Sequence, residues 1–359
     1  ALRDLHPGDF VAVPRKLLGR HTTAEPGVDR RKLRILAYVI ADGSLASMAS
    51  VDFTSKDPGL ITEYERCLLA FPDVRTAYTE QVRGVLRVGV AKREDRNAPY
   101  HAPTSLLTWL RELGLKHPAG SRPGGLRSHE KFVPSLVFEL GEDDIAFFLA
   151  SLWDCDGYIG RKLCHYKTIS ERLAEDVQTL LLRIGIRSVI HTADYETLRT
   201  GREVLGEVST RHSYQVTVYD TARLAELLQP YMVSYKREIH CAAASASTIR
   251  RRPFVREALD ATGLSALQLM KRYGIDRQHF YKQRQSSQRI SAAIAGGLAS
   301  QIQLPQTEKL LHVTWEEIGA IELVGDEHVY DLTVEGLHSF VANNIIVHNC
   351  VYQEQIIQI

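Results

Sequence analysis

Two nine-residue segments constrain this chain more than anything else in it: Ile35–Gly43, ILAYVIADG, and Leu149–Gly157, LASLWDCDG. Each is an apolar run with two small residues four positions apart, Ala37 and Ala41 in the first, Ser151 and Cys155 in the second. Each ends in Asp-Gly, at Asp42-Gly43 and Asp156-Gly157. On an α-helix, residues four apart share a face, and a face of small residues lets two backbones approach closely. Gly after the last turn is the usual helix stop. The acids are the odd feature, because a carboxylate at the negative end of the helix dipole costs about 0.3–1 kcal/mol. Two of them, at matching places on matching helices, predict that both carboxylates and both dipole ends face one cation. Two buried helices with plain Asp-Gly turns are the alternative, and repetition of the whole pattern speaks against it.

The pair resembles the LAGLIDADG motifs of dodecapeptide (DOD-type) homing endonucleases. The second segment follows the motif at Leu149, Ala150, Leu152, Asp154, Asp156 and Gly157; the first resembles the looser form of nucleases lodged inside inteins. The resemblance implies two helices packed at a pseudo-twofold axis. It implies Asp42 and Asp156 as metal ligands, Mg²⁺ or another divalent cation as cofactor, and double-stranded DNA as substrate.

Residues 29–240 read as an internal repeat, with halves 29–140 and 141–240. Half one runs from the Ile35–Asp42 helix through strands at Ser50–Thr54, a helix at Pro58–Leu69, strands at Val74–Glu80 and Gly84–Val90, and a helix at Ser105–Leu113. Half two runs from Ile145–Asp156 through strands around Tyr158–Tyr166, an amphipathic helix at Ser170–Ile184, strands near Ser188–Ala193 and His212–Val218, and a helix at Thr221–Leu228. The resulting expectation is an α+β fold with two pseudo-symmetric αββαββα LAGLIDADG halves. Lys131, in a Lys-Phe-Val-Pro run, and Lys236 close the two halves. The resemblance implies a catalytic lysine at the first position and a counterpart at the second. Physically, a cation there can stabilise charge on a scissile phosphate or polarise attacking water. A surface lysine is the alternative for each.

Composition narrows the partners. The 359 residues carry a net charge of only +1, so a nucleic-acid surface must be a local patch. Arg250-Arg251-Arg252-Pro253 opens a basic section, and Arg250–Arg289 holds ten Lys/Arg against three Asp/Glu. There Ala266–Tyr273 reads as a helix, Gly274 as a turn, and Asp276 as the N-cap of a second helix over Arg277–Arg284. This resembles a helix-turn-helix, whose second helix would enter the major groove. Arg250, Arg251 and Arg252, with Arg277, Gln278, His279, Tyr281, Lys282 and Arg284, are candidate donors to phosphate and base edges. Residues 245–305 are thus expected as a basic recognition region, with a solvated helical hairpin as the alternative. The five cysteines are odd in number and form no C-x-x-C, against zinc or a disulfide framework and in keeping with a reducing, cytoplasmic setting. No apolar run reaches the ~18 residues of a membrane span. A monomer is expected.

The C-terminal run VYDLTVEGLHSFVANNIIVHNC resembles the two C-terminal splicing motifs of an intein. Asp331 and His338 fall in the first motif, and His348, Asn349 and Cys350 in the second. The chemistry needs these residue types. The Asn349 side-chain amide can attack its own main-chain carbonyl, closing a succinimide and breaking the bond to Cys350; being intramolecular, the step gains from orientation. His348 is placed to protonate the leaving amide, with His338 a candidate partner. The Cys350 thiolate is the nucleophile that accepts an upstream acyl group, and Asp331 can tune it. Residues 306–349 are then a β-rich C-terminal HINT (splicing) segment, with strands expected at Trp315–Leu323, Glu327–Val334, Ser339–Ala342 and Ile345–Val347.

Residues 1–28 contain LHPGDFVAVPRKL, with a turn at His6–Asp9 and a strand at Phe10–Val13. This is either an ordinary hairpin or, by resemblance, the segment that follows the N-terminal splicing motifs. The first-residue nucleophile and the Thr-x-x-His motif are not in the sequence, which opens at Ala1, so a complementing N-terminal intein fragment is an expected partner. Residues 350–359, CVYQEQIIQI, would be host sequence, and Val351–Gln355 resembles bacterial DNA polymerase III alpha subunits. The alternatives are a DNA-binding intein whose nuclease has decayed, and a free-standing LAGLIDADG maturase-like protein. The splicing motifs speak against the last.

Overall fold

The computed structural model describes residues 5–17, 28–47, 50–82, 84–93, 103–201, 204–241, 248–275, 289–305, 311–322 and 339–348. The chain forms two compact units, one of residues 17–244 and one of residues 1–16 with 245–359. The strand β1 (Phe10–Pro14) belongs to the second.

The 17–244 unit contains two runs of elements in the same order. The first is α1 (Arg30–Asp42), β2 (Gly43–Ser44), β3 (Asp52–Ser55), α2 (Pro58–Leu68), β4 (Val74–Val82), β5 (Val85–Lys92) and α3 (Ser105–Glu112). After the short α4 (Ser135–Phe138) come α5 (Glu142–Asp156), β6 (Gly157–Ile159), β7 (Cys164–Thr168), α6 (Glu171–Arg183), β8 (Val189–Gly201), β9 (Val204–Val218) and α7 (Thr221–Leu228). Each run builds one four-stranded antiparallel sheet, β2-β3-β5-β4 and β6-β7-β9-β8. In both, the third and fourth strands of the run form a hairpin and the fourth sits inside.

Helix α1 is started by Asp29, whose carboxylate accepts from the Arg31 N–H at 2.9 Å. Helix α5 has Glu142, Asp143 and Asp144 in its first turn, where the dipole favours anions. From Ile145 to Asp154 every residue of α5 is buried, as is Leu33–Ile40 of α1, so both helices run through one continuous core. The helices pack against each other. At their N-terminal ends Arg30 bonds Asp144 at 2.8 Å and also Asp143. At their C-terminal ends the Cys155 side chain and the Asp42 carboxylate lie within electrostatic reach of each other. Contacts at both ends in the same order make the helices parallel.

Both helices stop at glycine, but for another reason than the left-handed cap that the sequence suggests. Gly43 and Gly157 are extended, with φ −81° and −82°. A Cβ on Gly43 would lie 2.5 Å from Val39 Cα, and one on Gly157 2.3 Å from the Trp153 ring. Glycine is needed there for room, because the chain folds straight back from helix into strand over the last turn.

The other unit has β10 (Thr248–Arg250), α8 (Arg251–Thr262), α9 (Ala266–Tyr273), β11 (Arg289–Ser291), α10 (Ala292–Ile302), β12 (Val313–Glu317), β13 (Ser339–Ala342) and β14 (Ile345–His348). β1 is not half of a local hairpin: it pairs antiparallel with β12, Phe10 opposite Glu317 and Pro14 opposite Val313. β12 is shorter than the expected Trp315–Leu323 strand, which stops at Glu317. β13 and β14 form a hairpin closed by Asn343 and Asn344, both at positive φ (46° and 64°), the two-residue turn that matches strand twist. The described residues of 248–305 pack together. Phe254, Ala258, Leu269, Met270, Ala295, Leu298 and Leu304 form a separate core among α8, α9 and α10, and β10 pairs with β11. The Glu327–Val334 strand and the second helix of the expected helix-turn-helix lie outside the described residues.

Candidate functional site

Asp42 and Asp156 end the two parallel helices, and their charges act on each other. Neither is sealed off: Asp42 is half-buried and Asp156 exposed. Desolvation by the protein around it, then the charge of Asp42, pushes the Asp156 carboxyl up to about 6, against the pull of Lys131 and Lys236. Desolvation likewise raises Asp42, while Lys131, Lys236 and the Cys155 thiol pull it down. Asp156 and Lys131 open into a cleft of about 580 Å³, walled also by Ser128, Lys167, Thr168 and Asp194.

Both candidate lysines reach this place, and both do something the sequence did not foretell. The Lys131 ammonium donates to the carbonyls of Ala41 (2.9 Å) and Gly43 (3.1 Å) at the end of α1. The Lys236 ammonium donates to the carbonyls of Trp153 (2.8 Å), Asp154 (2.9 Å) and Cys155 (3.1 Å) at the end of α5. Each lysine therefore caps the end of the helix of its own half, where carbonyls run short of helical N–H partners; the Trp153 carbonyl also accepts from the Gly157 N–H. Neither is the surface lysine of the alternative reading, with 6% and 8% exposure. Burial lowers both ammonium pKa values, and the nearby carboxylates work against that fall. The discomfort of two acids at two helix ends is thus partly relieved by the protein's own cations. Lys236 spends its three N–H donors on carbonyls, whereas Lys131 spends two.

Asp154 and Tyr166 escaped the sequence reading as site residues. Asp154 is 2% exposed. It accepts from the backbone N–H groups of Val233 and Ser234, both at 3.0 Å, and from the Ser234 hydroxyl at 2.6 Å. That clamp sets the segment carrying Lys236. In the other half, the Ser170 hydroxyl donates to the Lys131 carbonyl at 2.6 Å and the Val133 N–H donates to Asp176 at 2.8 Å. Tyr166 stands across the ladder from Gly157. Its hydroxyl is fully buried with no hydrogen-bond partner, within the electrostatic reach of Asp156, Cys155 and Asp42. Only the Asp154 position in the motif hinted at any of this.

The donor set fits a hard divalent cation. Among the described residues no three His, Cys, Asp or Glu side chains converge as a metal cluster. A pair of carboxylates that leaves other positions to water and phosphate oxygens is the arrangement Mg²⁺ accepts.

The splicing residues are placed only in part. His348 ends β14 opposite Ser339. Asp331, His338, Asn349 and Cys350 lie outside the described residues. Of the candidate DNA contacts, Arg250 pairs with Arg289 between β10 and β11, and Arg251 and Arg252 open α8. Arg277, Gln278, His279, Tyr281, Lys282 and Arg284 lie outside the described residues. No helix in the described part is long and apolar enough to cross a membrane.

Similarity to known proteins bears on the whole chain. Replicative DNA helicase DnaB of Rhodothermus marinus is 33% identical over 382 residues, covering 98% of this chain and 37% of the helicase. DnaB of Synechocystis sp. is 29% identical (98% and 40%), and protein RecA of Mycobacterium tuberculosis 25% identical (98% and 45%). The chain therefore spans less than half the length of these curated relatives, which offer no support for a polymerase III host. Among solved structures, mesophilic variants of the homing endonuclease I-DmoI align at 14% identity and a TM-score of 0.37, over 57% of this chain and 98% of theirs. The intein splicing domain family matches residues 1–349, from the start of the chain to Asn349. This chain belongs to the intein splicing domain family.

Proposed function

We propose that the chain joins two activities: site-specific cleavage of double-stranded DNA by residues 29–240, and C-terminal protein splicing chemistry around Asn349. The first rests on one observation, the meeting of Asp42 and Asp156 at the ends of parallel helices beside an open cleft. The pseudo-symmetric LAGLIDADG plan is favoured by the matching strand order of the two sheets. A divalent cation, Mg²⁺ in this reading, would supply Lewis-acid stabilisation of the scissile phosphate and a more acidic attacking water. Asp42 and Asp156 would hold it. Lys131, with one N–H to spare, faces the cleft and stabilises negative charge building on phosphate. Lys236 keeps the end of α5 in place and acts as a positioning residue. The basic 245–305 region adds DNA contacts.

For splicing, the Asn349 amide nitrogen attacks the Asn349 carbonyl carbon. A succinimide forms, the bond to Cys350 breaks, and the freed amine takes a proton delivered through His348. The Cys350 thiolate takes the acyl group in the preceding step, with Asp331 and His338 assisting. The host is read as a polymerase III alpha subunit from Val351–Gln355 alone. A cytoplasmic monomer acting on the intein-less host gene completes the reading.

A second reading is favoured by the lysine caps. Two ammonium groups already hold the helix-end carbonyls within electrostatic reach of both carboxylates, so in this reading the site folds without metal and serves a DNA-binding intein with a decayed nuclease. The test is cleavage of a plasmid carrying the uninterrupted host sequence with Mg²⁺. The nuclease reading expects a double-strand break by the wild-type chain, and binding without cutting by Asp42→Asn and Asp156→Asn. Binding without cutting by the wild-type chain supports the decayed nuclease.

A further inference from the structure

Lys131 is held at its two ends by different helices. Its ammonium donates to the Ala41 and Gly43 carbonyls at the end of α1, at 2.9 and 3.1 Å. Its main-chain carbonyl accepts from the Ser170 hydroxyl at 2.6 Å, and Ser170 is the N-cap of α6. The grip continues along the next two residues. The Arg172 guanidinium lies over the Phe132 ring, 4.2 Å from its centroid, and the Val133 N–H donates to the Asp176 carboxylate at 2.8 Å. Lys131, Phe132 and Val133 are thus laid along the opening turns of one helix. Ser170 is itself fixed. Its N–H donates to Thr168 Oγ1 at 3.1 Å, and its hydroxyl oxygen accepts from the Leu173 N–H at 3.2 Å while donating to Lys131. At 1% exposure, water does not compete for that bond.

We propose that Ser170 is a positioning residue for Lys131, so that the second run of elements sets, through α6, the lysine that caps the helix of the first. A lysine carries its charge on a flexible four-carbon stem. Its ammonium keeps a set place only if the main chain beneath it is fixed as well. Ser170 fixes that main chain with a neutral hydrogen bond to the carbonyl of the same residue. Thr168, which accepts the Ser170 N–H, also walls the cleft with Lys131. The end of β7 that meets a bound substrate and the lysine that faces it are therefore tied through one serine.

Lys236 supplies the contrast. The Asp154 clamp holds its segment from α5, the helix that Lys236 itself caps. Loosening Ser170 therefore acts on one lysine and spares the other. The inference rests on the nuclease reading for what Lys131 does in cleavage, and on the contacts alone for what holds Lys131 in place.

The experiment compares Ser170→Gly and Ser170→Thr with the wild type, all as the whole chain. Glycine is an acceptable N-cap without a hydroxyl, so Ser170→Gly removes the bond to Lys131 with little loss of helix, while threonine keeps both cap and donor. Acetic anhydride labelling, read on chymotryptic peptides by mass spectrometry, needs no nuclease activity. The Lys131 amine should react on the order of tenfold faster in Ser170→Gly, through local opening. Lys116 and Lys236, buried like Lys131, should keep their wild-type rates. Single-turnover cutting of the plasmid with Mg²⁺ should slow on the order of tenfold or more in Ser170→Gly. DNA affinity should hold, and Ser170→Thr should restore the rate. Asp176→Ala, which takes the acceptor from the Val133 N–H, should give the same pattern more weakly and decides the matter if Ser170→Gly does not fold. Unchanged Lys131 labelling, an equal rise at all three lysines, or a freed Lys131 with undiminished cutting overturns the proposal. A wild-type chain that binds but never cuts refutes the nuclease reading alone, and the labelling then decides the positioning.

Discussion

Lys236 owes its position to Asp154. The Asp154 main-chain carbonyl receives the Lys236 ammonium at 2.9 Å, while its side chain receives the Ser234 hydroxyl at 2.6 Å and the Val233 and Ser234 amides at 3.0 Å. One residue thus holds the loop by its carboxylate and that loop's lysine by its backbone. The first half has Ile40 at the matching position and fixes Lys131 from α6 instead.

Removing the Asp154 carboxylate takes the acceptor from the buried Ser234 amide, the half-buried Val233 amide and the Ser234 hydroxyl. Asp154→Ala should cost about 2–4 kcal/mol in stability. Asp154→Asn keeps an acceptor toward Ser234 and should cost less. Urea unfolding of the three proteins checks the ordering, and equal stability of Asp154→Ala and wild type would contradict the clamp.

The turn glycines carry a second expectation. Gly43→Ala and Gly157→Ala each drive a methyl into the preceding helix turn, against Val39 backbone or against Trp153. About 2–3 kcal/mol of destabilisation is expected for each. A left-handed cap would have tolerated Asn better than Ala. Here Asn should be worse than Ala, because its extra atoms meet the same wall. Thermal melts of Ala and Asn variants at both positions decide between the two roles.

Asp156 gives a pH dependence of definite sign. Its folded pKa of about 6 lies above the ordinary aspartate value of 3.8, so the folded chain binds this proton more tightly than the unfolded chain does. Its contribution therefore favours folding at low pH and declines as pH rises from about 4 to 6, with no further change above. The full shift corresponds to about 3 kcal/mol, but Asp156 is exposed and solvent screens it, so about 1 kcal/mol is expected. Asp42 shifts in the same direction, whereas Asp29, Glu63 and Asp143 are held low by arginines or tyrosine and act oppositely. The comparison is therefore a difference: Asp156→Asn should gain on wild type between pH 4 and 6 in metal-free buffer, and added Mg²⁺ should erase the gain. A gap independent of pH would contradict the assignment.

Much of the scaffold was legible in the sequence because its signals are local. Helices α6, α7 and α9 follow from amphipathic period and caps, with Ser170, Asp220 and Ser265 each accepting the backbone amide expected of an N-cap. The paired acids were legible because the same pattern occurs twice. What stayed hidden depends on partners distant in sequence. β1 gives no sign that its partner is β12, and β8 and β9 extend well past the stretches that alternate clearly. Lys131 and Lys236 read as catalytic from position, yet their capping of helix ends needs the folded turn.

The splicing tail carries its own prediction. The chain should lose Cys350–Ile359 on prolonged incubation through Asn349 cyclisation, read by mass spectrometry as a shortened chain ending in a succinimide. Asn349→Ala should abolish the loss and His348→Ala should slow it by on the order of 10²-fold. Undiminished release from Asn349→Ala would point to another cleavage chemistry.

Mn²⁺ binding, followed by electron paramagnetic resonance on the wild-type chain, Asp42→Asn and Asp156→Asn, probes the shared ion most directly. One saturable site that loses affinity on the order of tenfold or more in each single variant is the predicted result. Equal Mn²⁺ affinity in all three proteins, all folded, would contradict the account.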